Sequence, residues 1–328
     1  MRIRRLEFSV FWMMVAILSM LFLSFSVSAR FAAGFDAAVG APLRYAVSTL
    51  SALVPFSLTE LLLLLLPLFF AFMISTAFYP QRLGIFTHTL FLFLLMLSLL
   101  FGFGFAAGGY RPPLGETLGL SVEAPTAEEV AECTRWVSGL ATYSGEVPSE
   151  EELSRRLLAA FRRAEDRYGI PVNTAALPKR TATPVLSLLG YFGLYAFPLG
   201  EITVSAECPA AVRTFTAAHE LSHASGLRRE EEADAFAFLV CLDSGDPYLS
   251  YAAATGVLGR LLTEMKEETP ITWQNASSWV SEEARRELLG AGELLGDASE
   301  TVALPTPEYG GTVRLLCALY RSRSAHGQ

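Results

Sequence analysis

Three long apolar stretches dominate the first third of the chain, and regular alternation of apolar and polar positions begins only after residue 110. The apolar stretches run from about Phe8 to Val27, from about Phe56 to Tyr79 and from about Ile85 to Ala107. Each is near the 20 or so apolar residues that a helix needs to cross a bilayer. Residues 6–29 carry a single charge, Glu7, and residues 61–79 and 83–110 carry none. The pattern therefore predicts a membrane region over residues 1–107 and a globular domain over residues 108–328.

Within the globular part the apolar spacing is mostly helical. Ala127–Leu140 and Ser149–Tyr168 read as amphipathic helices. Ser149 before Glu150, Glu151 and Glu152 is an N-cap followed by first-turn acids, and Gly169 and Pro171 stop that helix. Residues 170–209 are rich in Pro, Gly, Thr and aromatics, and Ile202-Thr203-Val204-Ser205 alternates as a strand. Pro209 suits the first turn of a helix that runs past residue 220. Further helices are expected over Ala233–Leu242, Tyr248–Lys266, 281–295 and 311–323, the first two separated by the breaker Asp243-Ser244-Gly245-Asp246-Pro247. The expected fold class is mainly α, or α+β with minor strand.

The charge pattern orients this arrangement. Arg2, Arg4 and Arg5 precede the first span and hold the N-terminus in the cytoplasm by the positive-inside rule. The turn Pro80-Gln81-Arg82 then lies inside, and everything after about Gly108 lies outside. Val27-Ser28-Ala29 also resembles a signal-peptide cleavage site, but the apolar stretch is long for that and favours an uncleaved anchor. Residues 31–55 read either as an interfacial helix on the outer leaflet or as a loop packed on the globular part. Glu60 falls at the start of the second span and is expected among lipid headgroups; His88 near the start of the third receives no role. Hydrophobic residues make up 52% of the chain, mean hydropathy is +0.38 and the net charge is −8. That balance argues against nucleic acid as a partner. The partners expected are the lipid bilayer and a peptide or protein substrate. The four cysteines, Cys133, Cys208, Cys241 and Cys317, all lie in the globular part at irregular spacing. They do not read as metal ligands, and their pairing is open.

Candidate chemistry concentrates in one place. Of four histidines in the chain, two lie in His219-Glu220-Leu221-Ser222-His223. Residues four apart share a helical face, so His219 and His223 direct two imidazoles at one ion. Glu220, one position on, stands beside the ion, where a general base takes a proton from water. A catalytic zinc site needs a third protein ligand. His88 and His326 are poorly placed, while Glu230-Glu231-Glu232-Ala233-Asp234 follows after Ser225-Gly226, a helix stop. Glu230 shares a face with Asp234, which is then placed to accept a hydrogen bond from a ligand imidazole. Choosing Glu231 or Glu232 breaks that agreement, though Glu232 remains open if the helix starts late. Ala233 and Ala237 allow close approach to the metal helix, and Phe236, Leu239 and Val240 face the core. The expected cofactor is one Zn2+ per chain.

The set His219, Glu220, His223, Glu230 and Asp234 resembles the glutamate-zincin metallopeptidases. A second resemblance covers most of the chain, to a bacterial membrane-protein family known only as a domain of unknown function, number 3810. It rests on Val54-Pro55-Phe56-Ser57-Leu58-Thr59-Glu60-Leu61-Leu62, on Tyr110-Arg111-Pro112-Pro113-Leu114-Gly115-Glu116, and on Gly190-Tyr191-Phe192-Gly193-Leu194-Tyr195. It continues through Phe215-Thr216-Ala217-Ala218 before the histidine motif and Arg229 through Asp234 after it. The resemblance implies three spans and one metallopeptidase-like domain. At position 234 the family pattern leads us to expect Asn, which also accepts a hydrogen bond. The expected function is a membrane-anchored zinc metallopeptidase in the bacterial cell membrane with its catalytic domain outside. Glu201–Ser205 is the strand expected to pair with substrate, and Tyr191 or Tyr195 a candidate oxyanion partner. The alternative is a non-catalytic zinc-binding sensor or scaffold. A transporter is disfavoured, because the spans carry almost no polar residues.

Overall fold

The computed structural model describes residues 2–268, 276–301 and 309–325. His326 lies outside these residues, as do the side chains of Arg2, Arg4 and Arg5, on which the expected orientation rests. The three apolar stretches form α1 (Arg2–Val27), α4 (Leu58–Ala77) and α5 (Pro80–Gly104), each long and apolar enough to cross a membrane. Their apolar windows, Val10–Val27, Leu58–Thr76 and Phe86–Gly104, are only 6–11% buried within the protein. Side chains at these positions are left facing outward, as lipid contact requires. His88 is exposed on α5. The second span starts later than the apolar pattern suggests because Ser57 caps it, accepting from the Glu60 amide at 3.0 Å.

The segment between the first two spans packs on the globular part, as one of its two expected readings has it, but as helix rather than loop. It comprises α2 (Ala29–Phe35), a π-helical turn (Asp36–Gly40) and α3 (Ala41–Ala52). Its anchor is polar. Arg44 is 3% exposed and donates to Asp36 Oδ1 at 2.6 Å, to the Gly104 carbonyl at the end of α5 at 2.7 Å, and to the Ala224 carbonyl at 3.1 Å.

The globular part is mainly helical with one small sheet. It comprises α6 (Leu114–Thr117), α7 (Ala127–Leu140), α8 (Glu150–Tyr168), β1 (Pro178–Arg180), α9 (Val185–Leu188), β2 (Gly193–Ala196) and β3 (Glu201–Val204). These are followed by α10 (Ala210–Ala224), α11 (Glu230–Asp243), α12 (Pro247–Glu268), α13 (Glu282–Thr301) and α14 (Tyr309–Ala325). Helix ends follow the sequence signals. Thr126 and Glu129 form a capping box on α7, Ser149 caps α8, and Gly169 ends α8 at φ 66°. In the sheet, ordered β1-β3-β2, β3 pairs in parallel with β1 and antiparallel with β2.

The core lies where α10, α11 and α12 pack on one another, with α7, α8 and α14 around them. α11 differs from the amphipathic helix the sequence suggests. Every residue from Glu232 to Cys241 is buried, because α8, α10, α12 and α14 surround it. All four cysteines are buried free thiols. Cys133 and Cys317 meet between α7 and α14, and that contact, with burial, pushes the Cys133 thiol up.

Candidate metal centre

The centre forms where the last turns of α10 face the first turn of α11. The two helices are joined by only five residues, and Gly226 at φ 98° makes the reversal. His219 and His223 leave α10 on one face, and Glu230 opens α11 opposite them. The His219 Nε2 and His223 Nε2 atoms are 3.0 Å apart. The Glu230 carboxylate lies 3.1 Å from the first and 3.4 Å from the second. Glu230 is thus the acid that meets both imidazoles. Glu232, the other candidate, is buried elsewhere and accepts from the Leu114 amide at 2.8 Å and from Arg229 at 2.8 Å.

The far nitrogens fix the protonation of the rings. His219 Nδ1 is 2.8 Å from Asp234 Oδ1, and His223 Nδ1 is 2.7 Å from the Leu227 carbonyl oxygen. Both partners are acceptors, so both Nδ1 atoms carry the proton. The neutral rings then present bare Nε2 lone pairs to each other and to a carboxylate. Three lone-pair donors cannot converge at 3.0–3.4 Å without a cation among them. Ligands about 2.0 to 2.1 Å from a tetrahedral ion lie about 3.3 Å from one another, close to the separations found. The donor set therefore fits a divalent metal. Without one, the cation is a proton. Burial pushes the His219 imidazole down, but Asp234 outweighs it and raises the ring to about 10. With that proton shared among the three groups, the two imidazoles hold the Glu230 carboxyl well below its usual range.

The surroundings are specific to this arrangement. Asp234 is fully buried. Its second oxygen accepts from Arg260 Nε on α12 at 2.5 Å and from Thr312 on α14 at 3.2 Å. Burial raises the Asp234 carboxyl, but Arg260 and His219 outweigh it and keep it low, hence ionised. Arg260 and Thr312 were not foreseen, because nothing local in α12 or α14 marks them.

Glu220 stands beside the cluster, 7% exposed, with its carboxyl pushed up by burial. The Tyr195 backbone donates to it. Strand β2 can pass this close only because residue 193 is glycine. A Cβ there would meet Thr216 Cγ2 at 2.4 Å and Glu220 Cγ at 3.1 Å. Together β2, the residues of the cluster, Arg228, Arg260 and Phe105 line a cleft of about 670 Å³.

Two sequence expectations are corrected here. β3 is the central strand, paired on both sides, so it has no edge for a substrate; β2 is the edge strand along the cleft. Tyr195 does not aim its hydroxyl at the cluster. The hydroxyl faces Ser48 and Asn173, and burial pushes it up to about 12. Tyr191, 51% exposed, stays on the rim.

Glu60 is also corrected. It is 7% exposed rather than set among headgroups, and it accepts from the Ala182 and Thr183 amides at 2.8 and 2.6 Å. A partner carboxylate works in the opposite direction. Glu201 on β3 accepts from the Leu58 and Thr59 amides at the start of α4 at 3.1 and 2.8 Å, and from Lys179 at 2.7 Å.

Residues 38–298 match the family described as "Protein of unknown function (DUF3810)". The chain belongs to this family. The matched region takes in the second and third spans, the edge strand, α10, α11 and much of α13, and so contains the whole cluster. No curated protein and no solved structure matches the chain.

Proposed function

We infer that this DUF3810 member is a membrane-anchored zinc-dependent metallopeptidase that hydrolyses peptide bonds on the extracytoplasmic side. The observation that carries this reading is the convergence of the His219 and His223 lone pairs on Glu230 at 3.0–3.4 Å, with a buried, raised carboxyl, Glu220, beside them in an open cleft. Two imidazoles, one carboxylate and an open side favour zinc over harder cations. Zinc bound there supplies a Lewis acid that acidifies water and polarises a carbonyl.

The chain's own residues supply the rest. Asp234 fixes the His219 ring and its tautomer, and the Leu227 carbonyl does the same for His223. The free edge of β2 offers backbone groups to an extended peptide, which places a scissile bond over Glu220. Glu220 takes a proton from the attacking water and delivers it to the departing amine. Burial, which pushes this carboxyl up from its ordinary value, makes it a stronger base toward the water. A purely structural metal site has no use for a carboxylate held there, which disfavours a non-catalytic sensor or scaffold. The outward orientation rests on the basic start of the chain.

The test uses the full chain in detergent with zinc bound, against a peptide library. Glu220→Gln should retain zinc and lose about 10²- to 10⁴-fold in cleavage rate. Wild type that cleaves no faster than this variant, with equal zinc in both, refutes the peptidase reading.

A further inference from the structure

The cleft is built against the end of a span. Phe105, the first residue after α5, lines its wall. The Arg228 guanidinium, also in the wall, lies 4.9 and 4.1 Å from the Phe101 and Phe105 ring centres. Gly108 presses on the loop behind the metal helix so closely that a Cβ there would come within 2.3 Å of the Gly226 carbonyl oxygen.

The other wall is the stretch Gly190–Tyr195, and Glu60 fixes its level relative to the membrane. Glu60 sits in the first turn of α4, inside the apolar window Leu58–Thr76. Its bonds to the amides of residues 182 and 183 put that backbone level with the first turn of a span. Helix α9 follows directly and packs on α4. It ends at Leu188, and Leu188 and the following Leu189 are 77% and 48% exposed, just before Tyr191 on the cleft rim. A single exposed leucine needs no explanation. Here the two exposed leucines close a helix that packs on α4, and they directly precede Gly190 and Tyr191, which line the cleft.

We propose that residues 185–191 are seated in the interfacial zone of the bilayer, so that the cleft opens at the membrane surface and captures membrane-anchored polypeptides in the stretch just outside the lipid. The hydrolysis of such a chain rests on the peptidase reading; its capture does not. An anchored chain is held at high effective concentration over the cleft, and that advantage falls roughly as the −3/2 power of spacer length. A free peptide lacks it altogether.

Two measurements on the full chain in lipid vesicles test this. The first uses Glu220→Gln and a photoreactive peptide library in three forms: acyl-anchored through about 6 flexible residues, anchored through about 48, and unanchored. The eightfold longer spacer should lower crosslinking to the cleft roughly 20-fold, and the unanchored form should crosslink least. Equal crosslinking by all three, or none by any, overturns the proposal. The second adds a tryptophan, Leu189→Trp, and compares it with wild type in vesicles containing brominated lipid. Additional emission that is quenched by the lipid supports the seating. Water-exposed emission that is insensitive to brominated lipid overturns it. Preferential capture of the short-anchored form without cleavage by wild type sinks the peptidase reading and leaves this one standing.

Discussion

Replacing Asp234 by Ala removes one atom group and disturbs three partners. His219 loses the acceptor 2.8 Å from its Nδ1, Arg260 loses the oxygen 2.5 Å from its Nε, and Thr312 loses a bond of 3.2 Å. The ring of His219 is then free to turn and to exchange tautomers, so its Nε2 lone pair no longer points permanently at the site proposed for zinc. Loss of such a supporting group weakens metal binding by about 10- to 100-fold. That is about 1.4 to 2.7 kcal/mol. At saturating metal the same amount is subtracted from the stabilisation that binding confers. A globular part of this size changes its melting temperature by about 2 to 4 °C per kcal/mol, so the zinc-induced rise should shrink by about 3 to 11 °C. Asp234→Asn should lie between variant and wild type. Its oxygen still accepts from His219 but cannot also serve Arg260, whose charge reaches solvent because the side chain is 32% exposed. The assay is thermal unfolding of the detergent-purified full chain with and without zinc, paired with competition against a colorimetric chelator. Zinc affinity of Asp234→Ala within twofold of wild type, in a folded protein, refutes the assigned role.

Three further outcomes follow from the same geometry. Burial raises the Glu201 carboxyl, but Lys179, the Thr59 amide and Ser57 outweigh it and hold it at about 2. The folded value is depressed, so its stabilisation, up to about 3 kcal/mol, is present above pH ~4.3 and drains away as pH falls toward the folded value; denaturant unfolding between those limits should show this dependence in wild type and lose it in Glu201→Gln. Gly193→Ala drives a methyl against Thr216 and Glu220, which should cost about 1 to 3 kcal/mol of stability and lower cleavage more than zinc affinity. Arg44→Met leaves Asp36 buried without its main partner. We expect a loss near 3 kcal/mol, the low end of about 3 to 5 for a broken buried pair, because Arg111 stands 3.9 Å from the same carboxylate and takes over part of the pairing; chemical denaturation measures it.

Much of this was legible in local sequence, and what was not has a common cause. Caps and stops at Thr126, Ser149 and Gly169 act within a few residues, and so do the i, i+4 faces that aim His219 with His223 and Glu230 with Asp234. Those signals located the helices and the cluster. Glu60, Arg44 and Glu201 carry no local signal of their roles, because each finds partners far along the chain. Arg44 meets Ala224, and Glu60 meets Thr183. A lone charge in an apolar stretch carries no mark of the partner that neutralises it. The same holds for Arg260 and Thr312, which are ordinary helix residues until α12 and α14 close over Asp234. The all-round burial of α11 was obscured for a related reason. Its first turn is acidic, which suggests a solvent face, while four neighbouring helices cover it.

The three-way contact of Arg44 bears on the order in which the protein matures. Its guanidinium joins the end of α5 to the end of the helix carrying both histidines, across 60 and 180 residues of chain. Contacts this distant in sequence form late, since the loops between them must close first. The carbonyls of Ala224 and Gly104 therefore gain their shared donor only after the third span is in place and the last turns of α10 have been synthesised and docked. A chain still being threaded into the bilayer has α10 without its clamp. The same dependence means that removing residues 1–107 would strip the end of α10 of its Arg44 donor and leave the Ala224 carbonyl to water.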